Sequence, residues 1–188
     1  SDHKTFGGIP TENTQYESSK VVLLPIPYDG TSTYGKGADL GPNAILSAAE
    51  NMELYDIETD SEVYLNGIYL APEIKEKSSP EAVAKQVEAA VEKHLNQEKF
   101  VTILGGEHSV SIGAIRAFKS KHDALTVLQL DAHSDLRPTY QGSTHNHACA
   151  LHEASFTTNL VQVGIRSMDR VELPFLNKDT LFTSYDIR

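Results

Sequence analysis

Residues 125–135 read LTVLQLDAHSD. The first six are rich in Leu and Val, as a strand buried in a core would be, and the apolar run stops at Asp131-Ala132-His133-Ser134-Asp135. An unpaired carboxylate is costly to bury, so three ionisable groups where a core strand ends require a partner. One metal ion satisfies all three. In a near-extended chain alternate residues share a side, so Asp131, His133 and Asp135 are expected to converge while Ala132 and Ser134 face elsewhere. The competing reading is a polar loop with Asp135 capping the next helix; the D-A-H-S-D spacing favours the metal.

A second stretch has the same construction. Phe100-Val101-Thr102-Ile103-Leu104 is a short apolar strand, broken by Gly105-Gly106 and followed by Glu107-His108 and a helical pattern over residues 109–121. The two glycines permit a sharp turn and a close backbone approach, which places His108 at the carboxyl end of its strand. In open α/β sheets that edge is where sites sit. A lone histidine after such a turn is ordinarily a capping or packing residue; its pairing with the first motif makes it a candidate ligand.

The rest of the chain fits one α/β domain spanning residues 1–188. Residues 1–20 read as a polar arm on the surface or on a neighbouring subunit. Residues 21–26 form a strong strand, and the Gly- and Thr-rich loop over 29–41 lacks both the Lys-Ser/Thr ending of a phosphate loop and the spaced glycines of a dinucleotide fingerprint. Pro42 opens a helix whose expected apolar face is Ala44, Ile45, Ala48, Ala49 and Met52. Residues 63–70 alternate weakly as an edge strand. Ser78-Ser79-Pro80-Glu81 then supplies an N-cap, a first-turn proline and an early acid for a helix to about residue 96, in which Val83, Val87, Val91 and Leu95 make the core stripe and His94 lies off it, toward solvent. Further short strands are expected at 160–165 and 180–183, with a helical turn at 168–176. Strands alternating with helices imply a mostly parallel sheet covered on both faces.

Composition narrows the function. A formal charge of −10 argues against nucleic-acid or anionic-membrane partners and favours a cationic one. No apolar run approaches the roughly 20 residues of a membrane span, and residues 1–8 are too polar for a signal peptide, so a cytoplasmic protein is expected. Cys149 is the single cysteine, which excludes an intrachain disulfide, and it reads as a small buried hydrophobe. The stretch Ser143-Thr144-His145-Asn146-His147-Ala148-Cys149 offers two histidines that suit metal ligation, a proton relay or a plain surface loop. Carboxylates with imidazole and no thiolate suit Mn²⁺ better than structural zinc.

Gly105-Gly106-Glu107-His108, Asp131-Ala132-His133-Ser134-Asp135 and the following Leu136-Arg137-Pro138-Thr139-Tyr140-Gln141-Gly142 resemble the ureohydrolase family, the manganese enzymes that include arginase and agmatinase. Further matches at Pro27-Tyr28-Asp29-Gly30, Gly37 to Gly41-Pro42, Ala44-Ile45 and Val163-Gly164-Ile165-Arg166-Ser167 fall in the family's order. The resemblance implies a three-layer α/β/α fold of the arginase and deacetylase type, two Mn²⁺ ions per active site, and hydrolysis of a small cationic guanidino compound by a hydroxide bridging the metals. It implies that His108, Asp131 and Asp135 hold one manganese, that His133 with a bridging Asp131 holds the other, and that His147 relays protons. His145 falls where the family varies and is left unassigned; Glu107 and Ser134 match motif positions without being ligands.

Residues 136–146 lack the Asn/Ser pattern with which arginases read the amino-acid end of arginine, so agmatine, giving putrescine and urea, is the expected substrate. An arginase- or guanidinobutyrase-type substrate is the alternative. Family members are commonly trimers or hexamers, and a homo-oligomer is expected. One departure stands out: the family carries two further aspartates in a later Ser-x-Asp-x-Asp motif, and this sequence reaches Ser184-Tyr185-Asp186-Ile187-Arg188 without it. The expectation is therefore the first two-thirds of such a fold, with a catalytically incompetent fragment or subunit as the alternative to an enzyme. A mononuclear zinc amide hydrolase of the deacetylase type shares the general fold, but Asp135 in the third motif position favours the two-metal site.

Overall fold

The computed structural model describes residues 5–187. Its first half is a parallel sheet of three strands in the order β2-β1-β3, formed by Val21–Ile26 (β1), Ile68–Leu70 (β2) and Phe100–Gly105 (β3). β1 is paired along its length with β3, Val21 opposite Phe100 and Ile26 opposite Gly105, so the two strands end level. Two helices cover this sheet, Pro80–Leu95 (α2) and Val110–Lys121 (α3). α2 starts where its sequence requires: Ser79 Oγ accepts from the Ala82 N–H at 3.1 Å and Pro80 occupies the first turn, where a missing N–H costs nothing. Val83, Val87 and Val91 recur every fourth residue and are buried against Val22, Leu24 and Ile26 of β1 and against Val110, Ala114 and Ala117 of α3. The helices approach so closely that a Cβ on Gly113 would lie 2.1 Å from the carbonyl oxygen of Ala84. Only glycine fits there.

The second half repeats the arrangement with Thr126–Leu130 (β4), Asn159–Ile165 (β5) and Leu181–Thr183 (β6), again parallel, in the order β4-β5-β6. A smaller core of Leu136, Ala150, Leu151, Ala154 and Leu160 packs beside it, with the short helix Ala154–Thr157 (α4) contributing. The helical turn expected near 168–176 is a six-residue 3-10 helix, Arg170–Phe175, closed by a capping box between Asp169 and Glu172. Among the described residues, no helix is long and apolar enough to cross a membrane.

Five expectations are corrected. The stretch 125–130 is a strand, but not a buried one: Leu128 and Leu130 are 60% and 74% exposed, because β4 is paired only with β5 and the face carrying Thr126, Leu128 and Leu130 is uncovered. The facing edges of β3 and β4 are both unpaired, and an apolar groove of about 500 Å³ lined by Ile103, Phe118, Leu125 and Leu128 lies between them. The helix opened by Pro42 runs over Gly41–Ala49 (α1) and buries Pro42, Leu46 and Ala49, leaving Ile45 and Met52 half exposed. Residues 63–70 split into a 3-10 turn, Val63–Asn66, and the three-residue β2.

His94 is buried, not solvated: Tyr16 reaches over the end of α2 and its hydroxyl meets His94 Nδ1 at 3.0 Å. The arm is correspondingly less free than its polarity implies. Lys99 Nζ donates to the carbonyls of Tyr16 and Ser19, at 2.8 and 2.7 Å, and Ile9 is buried. Residues 1–4 of the expected arm lie outside the described residues.

Candidate metal centre

The site forms where β3 and β4 end. After β3 the backbone passes tightly under the loop that follows β1: Gly106 N–H donates to Ile26 O at 3.0 Å and Glu107 N–H to Tyr28 O at 2.9 Å. A Cβ on Gly106 would sit 1.9 Å from that Tyr28 oxygen. Glu107 is buried and turns back, accepting from Ser109 N–H at 2.8 Å and from Ser109 Oγ at 2.7 Å. It closes the turn into α3, which leaves His108 as the residue facing β4.

On the other side, Asp131 N–H continues the β4–β5 ladder by donating to Val163 O at 3.1 Å. Asp131 Oδ1 accepts from His133 N–H at 2.9 Å and Oδ2 from Gln129 Nε2 at 3.1 Å. Gln129 is the buried residue of β4, and its amide also donates to His133 O at 3.0 Å and accepts from Gln162 Nε2 at 2.6 Å. Gln162 in turn donates to Ser134 O at 2.9 Å. Two buried amides thus fix the start of the Asp131–Asp135 loop, and Arg166 and Ser167 N–H groups hold Ala132 O at 2.9 and 3.1 Å.

Asp135 sits at φ +52°, a left-handed conformation uncommon for a residue with a side chain. That turn swings its carboxylate toward His108. His108 Nδ1 lies 2.5 Å from Asp135 Oδ2 and 3.3 Å from Asp131 Oδ2. One ligand atom from each of His108, Asp131 and Asp135 lies within 4.8 Å of the others. Burial works against a charged His108 imidazole, but the Asp135 hydrogen bond and the charges of Asp135, Asp131 and Glu107 outweigh it and hold its pKa above the ordinary value. The same negative charge attracts a cation. Carboxylate oxygens with one imidazole, without thiolate, fit a hard or borderline divalent ion.

Of the four expected ligands, the structure brings together His108, Asp131 and Asp135, the three that the resemblance assigns to one ion. His133 stands apart, its side chain 66% exposed and its Nδ1 3.8 Å from Asp131 Oδ1. Extended alternation would have brought it in; the backbone instead bends at Ala132 and takes a left-handed conformation at Asp135. Asp131 therefore faces the two histidines with different oxygens, Oδ2 toward His108 and Oδ1 toward His133.

His147 lines the same cleft, which encloses about 590 Å³ and is also walled by Arg137, Tyr140, Asp169 and the loop at Ser32, Thr33 and Tyr34. His147 N–H donates to Thr31 Oγ1 at 2.9 Å, its Nδ1 is 3.3 Å from the same oxygen, and Tyr140 meets the ring edge-on at 5.9 Å. His145 lies elsewhere, in a separate pocket with Cys149 and His152, and burial lowers its pKa. Cys149 is buried, and burial pushes its thiol up to about 11, as a packing residue behaves.

Three sets of supporting groups escaped the sequence reading. Glu172 is buried beneath the Asp131–Asp135 loop and accepts from Ser134 Oγ and from Leu136 N–H, both at 2.7 Å. Its capping-box spacing from Asp169 was the available signal. The Gln129–Gln162 pair carries no such signal, since an amide in a strand reads as a surface residue. Arg137 pairs with Asp169 at 2.9 Å and lies over the Tyr140 ring, at the wall of the cleft.

Comparison with known proteins places these features in context. The model of the arginase family matches residues 19–188. An N(1)-aminopropylagmatine ureohydrolase of Synechocystis sp. is 37% identical over 145 residues, covering 73% of this chain and 47% of that protein. An agmatinase of Pyrococcus horikoshii is 32% identical over 165 residues, 84% of this chain and 55% of that one. The crystal structure of the agmatine ureohydrolase of Thermoplasma volcanium superposes with a TM-score of 0.83 at 32% identity, covering 93% of this chain and 60% of that one. The chain thus spans about half to three-fifths of the length of these relatives.

Proposed function

This chain belongs to the arginase family, and on that premise we propose that it carries the metal-binding part of a manganese ureohydrolase acting on agmatine or a closely similar guanidino amine. The observation that carries this reading is the convergence of His108, Asp131 and Asp135 at the carboxyl ends of β3 and β4. In this proposal those three residues would hold one Mn²⁺, and Asp131, which turns its other oxygen to His133, would help that histidine hold a second. Four side chains leave coordination positions open on both ions. When bound, such ions supply Lewis-acid charge and lower the pKa of water to near neutrality.

The chain's own groups do the rest. The cleft carries Asp131, Asp135 and Asp169 beside a single paired Arg137, a field that suits a cationic guanidinium and a distal ammonium. Water adds to the guanidinium carbon, the bond from that carbon to the substituted nitrogen breaks, and urea and an amine leave. The departing nitrogen requires a proton, and His147, on the wall of the cleft and held by Thr31, is the group in this proposal that delivers it. An agmatine-type substrate agrees with the names of the relatives above. The test is urea release from agmatine by the purified protein loaded with Mn²⁺, with putrescine measured alongside. Equal amounts of urea and putrescine are expected, abolished by Asp131→Ala; a protein that binds Mn²⁺ and releases urea from no guanidino compound would refute the reading.

A further inference from the structure

Glu172 is a buried carboxylate, 4% exposed, with no cation paired to it among the described residues. Such a charge persists only where donors satisfy it. Three do so: Ser134 Oγ and Leu136 N–H on Oε1, both at 2.7 Å, and Asp169 N–H on Oε2 at 2.5 Å. The first two donors belong to the residues flanking Asp135 on either side. Asp135 itself holds φ +52°, a conformation disfavoured for a residue with a side chain, which persists only when its surroundings over-determine it. Leu151 N–H holds Asp135 O at 3.0 Å and Gln162 Nε2 holds Ser134 O at 2.9 Å, but one oxygen of Glu172 spans both flanks of the turn.

We propose that Glu172 is a positioning residue for cation binding: it clamps Ser134 and Leu136 so that the Asp135 carboxylate is aimed at His108 before any ion arrives. The inference rests on the metal centre described above and deepens it. Glu172 lines the cleft, but both of its oxygens are taken up by these protein donors. It acts through Asp135, which without the clamp relaxes to an ordinary backbone conformation and withdraws its oxygen from the site.

The experiment is Mn²⁺ titration followed by electron paramagnetic resonance, on wild type, Glu172→Ala, Glu172→Gln and Ser134→Ala, with circular dichroism to establish that each is folded. Removing an outer-shell partner of a ligand weakens metal binding by about 10–100-fold, and that loss is expected for Glu172→Ala together with an altered spectrum of the bound ion. Glu172→Gln keeps an oxygen for Ser134 and Leu136 while turning its NH₂ on the Asp169 N–H, so it should recover most of the affinity. Ser134→Ala removes one of the two clamps and should fall between wild type and Glu172→Ala. A folded Glu172→Ala protein that binds Mn²⁺ as tightly as wild type would overturn the role of Glu172 and leave the metal centre standing. Should Glu172→Ala not fold, unchanged affinity in Ser134→Ala would overturn it equally. Failure of the wild-type protein to bind Mn²⁺ would overturn the metal centre and this inference together.

Discussion

Gly105 and Gly106 are adjacent in one motif, yet alanine at the two positions should behave differently. A Cβ on Gly106 falls 1.9 Å from the Tyr28 carbonyl oxygen, and ordinary contact begins at 3.4 Å, so backbone must move against backbone by about 1.5 Å. A shift of that size breaks the hydrogen bonds from Gly106 N–H to Ile26 O and from Glu107 N–H to Tyr28 O, worth about 1 kcal/mol each, and leaves residual strain of about 1 kcal/mol. The expected cost is about 3 kcal/mol. A Cβ on Gly105 meets only Val110 Cγ2, at 2.8 Å, and a side-chain methyl can give way; the cost there should be about 1 kcal/mol. The difference corresponds to about 4–8 °C in Tm for a chain of this length. Thermal melts by circular dichroism, with urea titration as a second probe, read it directly. Because His108 follows two residues later, only Gly106→Ala should also weaken Mn²⁺ binding. A Gly106→Ala protein within about 0.5 kcal/mol of wild type, or more stable than Gly105→Ala, would refute the close approach on which the placement of His108 depends.

Other consequences follow from single contacts. Ser79→Ala removes the acceptor of the Ala82 N–H and should destabilise the chain by about 1 kcal/mol, while Ser79→Asp should retain most of that stability. His94 is buried, and burial first, then the charges of Lys93 and Lys99, lower its pKa below the ordinary 6.5. The unfolded chain therefore takes up a proton that the folded chain resists, so this contribution to stability is fully present above pH 6.5 and is lost as pH falls toward the lowered value. Urea midpoints on either side of that pH should show the decline in wild type and a flatter profile in His94→Gln. Cys149, buried and with its thiol pushed up to about 11, should resist iodoacetamide in the folded protein at neutral pH and react once urea unfolds it; fast labelling of the folded chain would contradict the packing described for it.

Much of this was legible in the sequence because local chemistry and burial agreed. The valines of α2, its Ser79-Pro80 start and the alternation of strands with helices all follow from short-range rules, and the structure obeys them. Where the reading failed, partners distant in sequence decided. His94 looked solvated because Tyr16, 78 residues away, is what buries it. Leu128 and Leu130 looked like core because apolar strands usually are; here the sheet is divided between β3 and β4, and the leucines line the groove at the division. The resemblance groups His108 with Asp131 and Asp135, as the structure does, whereas near-extended alternation alone misplaces His133. Alternation grouped Asp131, His133 and Asp135, whereas the left-handed turn at Asp135, clamped by Glu172 from 37 residues on, groups Asp131 and Asp135 with His108 and leaves His133 aside.

On the proposed reading, His108, Asp131 and Asp135 bind a divalent cation. Calorimetric titration of Mn²⁺ into the wild-type protein and into Asp131→Asn, which preserves an acceptor for the His133 N–H, tests it most directly. Saturable binding by wild type, weakened at least about tenfold in the folded variant, is the predicted result. Binding of equal strength by both proteins, or by neither, would contradict it.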